Sequence, residues 1–178
     1  MQEQFEDKAQ LIYNDTDSFV YEVEHDNIYD WMRANWTHFD TSDSKVSRLK
    51  DAQHKKKLGK FKDGLNSQVM LEWIALNPKT YAYKYQTISF ENREENEIIE
   101  KQKAKGVSMA TVKKTLPFKV YKKVIETNEI ARRNITNIGS FNQQLFTFTT
   151  DKIALNSFYD QMKMIDKINC GPFGFIQK

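Results

Sequence analysis

The sequence predicts an α+β fold, an antiparallel sheet with a flanking helix followed by a smaller region of mixed helices and strands. Three observations predict it. β-Branched and aromatic runs recur around short polar turns, as in Leu11-Ile12-Tyr13 and Phe19-Val20-Tyr21. Apolar residues recur at helical spacing, at Ile28, Trp31, Met32 and Trp36 and again at Phe118, Tyr121, Val124 and Ile125. Hydrophobic residues make up 39% of 178 positions, enough for the core of one domain or two small ones.

Tyr13-Asn14-Asp15-Thr16-Asp17-Ser18 lies between the first two apolar runs and predicts a tight hairpin. In an extended backbone, residues two apart share a face, so Asp15 and Asp17 would point the same way, with the Thr16 and Ser18 hydroxyls beside them. Two carboxylates so placed suit Mg²⁺, which takes one or two carboxylates plus substrate phosphates. The matching chemistry is phosphoryl transfer. Taken alone, such a turn is more often a solvated hairpin tip.

Asn27 is placed to cap the first helix, whose tryptophans read as core. The polar stretch 37–47 reads as a loop, and its Asp40-Thr41-Ser42-Asp43 echoes the hairpin tip without flanking strands. A lysine-dense block follows, including Lys55, Lys56, Lys57, Lys60 and Lys62. It reads as a solvated face, a nuclear address or, preferred here, a phosphate-backbone contact. Glycines at 59 and 64 predict turns around one short strand. Residues 69–76 predict another strand, ended by Asn77-Pro78.

The segment Lys79-Thr80-Tyr81-Ala82-Tyr83-Lys84-Tyr85 has strand period, which places Lys79, Tyr81, Tyr83 and Tyr85 on one face. That face suits consecutive phosphates or, equally, a tyrosine ladder within a sheet. Residues 91–100 read as an acidic excursion with a returning strand. Short helices are expected at 107–112 and from Pro117. Strands at 135–138 and 144–149 are expected to pair around Gly139-Ser140.

Lone Cys170 excludes a disulfide framework, and the scattered histidines (His25, His38, His54) have no metal-ligand spacing. No apolar run is long enough for a membrane span and no secretory signal is evident, so an intracellular setting, host nucleus or cytoplasm, is expected. The net charge of +3 permits a phosphate-bearing partner without demanding one.

The ordered set YNDTDS, LGKFKDG, PKTYAYK and KAKGV resembles the C-terminal half of a family B DNA polymerase, most closely the protein-primed viral and transposon branch. The resemblance covers most of 8–125. It implies a partial palm over 1–105 and a thumb-like region over 106–178. It also implies that Asp17 is the principal ligand of catalytic Mg²⁺, with Asp15 close to the metals and Tyr13 opening the motif. Lys79 and Tyr81 would hold the primer strand, with Lys60, Lys62 and Lys105 as further DNA contacts. The implied partners are a DNA primer-template, deoxynucleoside triphosphates, and a terminal protein primer or a complementary polymerase chain.

The family's other metal aspartate and its nucleotide-binding lysine motif do not occur in this sequence. The expectation is therefore a polymerase fragment dependent on those parts. A non-catalytic DNA-binding module is the alternative. A sugar-nucleotide transferase using Asp-x-Asp is disfavoured, because no nucleotide-binding βαβ half is legible.

Overall fold

The computed structural model describes residues 2–45, 49–87, 97–158, 162–166 and 170–172. It is α+β, with small antiparallel sheets and short helices. Two compact units interleave along the chain. One comprises Met1–Ile12, Val20–Leu71 and Tyr85–Ile99; the other comprises Tyr13–Phe19, Glu72–Lys84 and Glu100–Lys178. The expected boundary at 105/106 falls inside the second unit. The second unit carries 16 Lys and Arg against 9 Asp and Glu, a net +7, whereas the first carries 11 against 15, a net −4.

After one helical turn, α1 (Gln2–Phe5), strands β1 (Ala9–Asp15) and β2 (Ser18–Val23) form the expected hairpin. In the first unit, α2 (Ile28–Ala34) begins at Asn27, whose side chain accepts from the Tyr29 and Asp30 N–H groups. Trp31 packs against Phe5 and Phe39 but is only half-buried. Trp36 does not join it. The helix stops at Ala34, which places Trp36 in a 3₁₀ turn, 42% exposed and stacked on His54 with ring centroids 4.7 Å apart. The strand expected between the two glycines is reduced to a single bridge, Phe39 to Phe61.

Asp40, expected to be loop, organises that loop. Its carboxylate accepts from the Ser42 N–H at 3.0 Å and the Lys56 N–H at 2.9 Å. The Ser42 hydroxyl and these two N–H groups hold its pKa down at about 2.

The second unit holds the main core. Strands β3 (Val69–Asn77), β4 (Thr80–Gln86) and β5 (Ile98–Lys103) form one sheet in that order. Ala82 on β4 is fully buried and packs with Leu76, Val112, Leu116, Phe118 and Tyr121. Helix α3 (Met109–Thr115) is capped by the Ser108 hydroxyl accepting from the Thr111 N–H. In α4 (Phe118–Thr127), Phe118, Tyr121 and Val124 make the buried stripe at spacing three, and Ile125 stays exposed. Pro117 offers no capping side chain, so Glu100 of β5 supplies a carboxylate to the Phe118 N–H at 3.1 Å. The helix ends at Asn128, in the left-handed conformation with φ 56°.

Strands β6 (Ala131–Phe141) and β7 (Gln144–Leu155) form a long antiparallel ribbon. Its turn is Asn142-Gln143, with φ 47° and 65°, rather than the expected Gly139-Ser140. Two consecutive positive φ angles are what a two-residue hairpin loop demands. Gly139 has a different reason: a Cβ there would sit 3.0 Å from both the Phe146 and Phe148 rings, which lie across it. Strands β8 (Met162–Met164) and β9 (Cys170–Pro172) pair near the C-terminus. Most of the acidic excursion, 88–96, lies outside the described residues. Among the described residues no helix is long and apolar enough to cross a membrane.

The depressed pKa of Asp40 makes acid stability testable. An ordinary carboxylate near 3.8 is shifted to about 2, so the stabilisation is complete above pH ~4 and disappears as pH falls toward 2. Asp40→Asn should lower stability at neutral pH, and urea unfolding should show its gap from wild type narrowing below pH ~4. A gap constant with pH would contradict this account of the loop.

Candidate functional site

Two hairpin turns meet in the second unit. The first joins β1 to β2 through Thr16 and Asp17. Thr16 adopts φ 61°, and the Asp15 carbonyl accepts from the Asp17 N–H at 2.8 Å and the Ser18 hydroxyl at 3.1 Å. Because β1 ends at Asp15 and Asp17 lies in the turn, the extended-backbone reason for a shared face does not carry through this segment. Asp17 is exposed, and its carboxylate has no ion pair or hydrogen bond among the described residues. Asp15 is more enclosed, its side chain 20% exposed, and the Thr16 hydroxyl donates weakly to it at 3.4 Å.

The second turn is Asn77-Pro78-Lys79-Thr80. Pro78 fixes the first central position and Lys79 occupies the next at φ 63°, where a type II turn normally has glycine. Lys79 is thus a turn residue rather than a strand residue, and the expected single row of Lys79 with three tyrosines does not form. The Tyr13 hydroxyl joins the two turns, accepting from the Lys79 N–H at 2.9 Å. The Lys79 ammonium lies 3.9 Å from the Asp15 carboxylate. Exposure keeps that ion pair to about 1 kcal/mol or less.

Behind Lys79 lies an aromatic sheet face. Tyr81 and Tyr83 of β4 stack with Trp73 of β3, with ring centroids 5.0 Å and 5.3 Å from the indole. The Tyr13 ring meets Trp73 and Tyr81, each at 5.4 Å between centroids. The Lys103 ammonium lies 5.9 Å from the Tyr81 ring centre, at the limit of a cation–π contact. Burial raises the pKa of both phenols. Asp15 adds to the rise in each, while the Lys79 N–H opposes it at Tyr13 and Lys101 opposes it at Tyr81. Both phenols are therefore neutral donors at physiological pH.

Lys105 joins the same neighbourhood through its backbone, whose N–H donates to the Thr80 hydroxyl at 3.1 Å. Thr80 stands between Lys79 and Tyr81, so the KAKG and KTY segments are neighbours in space. Lys60 and Lys62 belong to the first unit, where local bonds occupy them: Lys60 donates to the Thr37 carbonyl and Lys62 pairs with Asp43. Sequence reasoning missed Trp73 and Lys103. Trp73 had a legible signal, since residues two apart on the neighbouring strand share the tyrosines' face.

Known families, curated proteins and solved structures were compared with the chain, and none matches. The site therefore rests on its own geometry. Asp15 and Asp17 could supply the protein's share of a Mg²⁺ site whose remaining ligands are phosphate oxygens and water. No group of three or more His, Cys, Asp or Glu side chains placed to hold a metal occurs among the described residues.

Thr16 and Lys79 both sit in a left-handed conformation that favours glycine. Thr16→Gly and Lys79→Gly should each raise unfolding stability by about 0.5–1 kcal/mol in urea titrations. Destabilisation by both would show that these turns are not strained.

Proposed function

We propose that the chain is the palm remainder and thumb of a family B DNA polymerase of the protein-primed type. In this reading, the two turns form a site for the 3′ end of a primer strand. The observation that supports it is the Tyr13–Lys79 hydrogen bond, which joins the Asp-Thr-Asp hairpin to the Lys-x-Tyr segment. Both motifs carry the resemblance, and they lie 66 residues apart in sequence.

The Lys79 ammonium, 53% exposed, can reach from its anchored backbone to a primer phosphate. Tyr81 donates a neutral phenol hydroxyl beside it. Asp17 presents an open carboxylate, and Asp15 sits between that position and Lys79. Mg²⁺ bound by these carboxylates and the nucleotide phosphates would supply charge neutralisation during phosphoryl transfer. The remaining metal aspartate and the triphosphate-binding lysine would come from a complementary polymerase chain or segment. The +7 balance of this unit supports duplex backbone binding by the thumb-like region.

The second reading is a DNA-binding module without catalysis. It is favoured by the Asp15–Lys79 contact, which satisfies one of the two carboxylates within the protein.

Fluorescence anisotropy with a labelled primer-template tests both readings. Lys79→Gly should weaken binding about tenfold and reduce the salt slope by about one, although it stabilises the fold. Tyr81→Phe should weaken binding by about fivefold. Mg²⁺ should tighten binding of primer-template plus nucleotide in wild type and not in Asp17→Asn. Equal Mg²⁺ response in both proteins would leave the non-catalytic module. Unchanged binding in Lys79→Gly would remove both.

A further inference from the structure

The β6–β7 ribbon is chemically unlike the rest of the chain. Its residues 134–150 include no charged side chain, although charged residues make up 29% of the sequence and the surrounding unit is +7. From Gln144 through Ile153 every residue of β7 is exposed. The register puts Phe141, Phe146 and Phe148 on one face and Ile138 and Leu145 on the other. These five are 41–79% exposed. Among the described residues each strand pairs only with the other, so each has one unpaired edge.

Sheets ordinarily protect such edges with lysine, proline, a bulge or a covering element. Between residues 134 and 150 there is no lysine and no proline, and the single register shift lies at the base, between Ala131 and Arg132. A nucleic acid would find no cation along this stretch to offset its phosphates. A lipid phase would leave both backbone edges unsatisfied. A second strand satisfies the edge and covers apolar side chains together. A copy of this chain can meet it here without like charges facing each other, because residues 134–150 carry none. The net +7 of each unit, carried outside this stretch, opposes the association and keeps it weak.

We propose that β7 pairs antiparallel with β7 of a second copy about a two-fold axis at Thr147, forming a four-stranded sheet across two chains. In that register Phe146 lies opposite Phe148 of the copy and Leu145 opposite Thr149, so both copies place their phenylalanines on one face. Aromatic cross-strand pairs are among the more favourable in antiparallel sheets, and the arrangement is self-complementary as a two-fold interface requires. The strands are short for an interface, so a weak, concentration-dependent dimer is expected.

Sedimentation velocity over a dilution series of the full chain tests the proposal, with circular dichroism confirming the fold of each variant. Wild type should dimerise, and Phe148→Lys should raise the dimer dissociation constant about tenfold or more. Phe146→Glu combined with Phe148→Lys should restore the dimer, because opposite charges then face each other across the axis. Thr147→Cys in a Cys170→Ser background should give a disulfide-linked dimer on mild oxidation, a readout that leaves the phenylalanines intact. A chain monomeric through the millimolar range would overturn the proposal. So would a dimer indifferent to Phe148→Lys, or amide protection of the ribbon that arises only with added DNA.

Discussion

One hydrogen bond, from the Lys79 backbone N–H to the Tyr13 hydroxyl, organises the candidate site. It is made at the point where the Pro78-Lys79 turn reaches the β1–β2 hairpin. Without it, Asp15, Asp17 and Lys79 would be three polar residues on two loops. With it, a cation and a carboxylate stand 3.9 Å apart, with a second carboxylate two residues further on. The Tyr13 ring supports the same junction by packing on Trp73 and Tyr81, so burial and hydrogen bonding favour one arrangement.

The two turns share an expense. A β-branched threonine and a lysine occupy φ angles near 60°, where glycine would be cheaper. Strain of this kind persists where the surrounding structure over-determines it, and it concentrates at functional positions. At Lys79 the side chain that brings the strain also brings the positive charge. A glycine would relax the turn and remove the positive charge that the turn carries.

Local chemistry was legible in the sequence. Asn27 caps a helix, and the run from Phe118 to Val124 buries its stripe at the expected spacing, whereas the helix expected at 107–112 begins only at Met109, after Ser108 caps it. The β1–β2 hairpin was legible because apolar strands bracket turn formers. What failed depended on backbone geometry or on long-range partners. Lys79 fits a strand by period, yet Pro78 makes it a turn residue. Gly139 resembles a turn residue, yet it is needed for two rings that arrive from the opposite strand. The contacts of Lys60 with the Thr37 carbonyl and of Lys62 with Asp43 link residues 23 and 19 apart, and no local pattern predicts them. The meeting of Tyr13 with Lys79 spans 66 residues, and no local pattern predicts it.

Hydrogen exchange at the Lys79 amide, followed by NMR in wild type and Tyr13→Phe, tests this junction most directly. The amide should be protected in wild type although Lys79 is an exposed turn residue. Removing one hydroxyl should speed its exchange about fivefold to tenfold, while core amides such as that of Ala82 change much less. Equal Lys79 exchange in the two proteins, or no protection in wild type, would mean that the two turns are not joined and that the site does not exist as described.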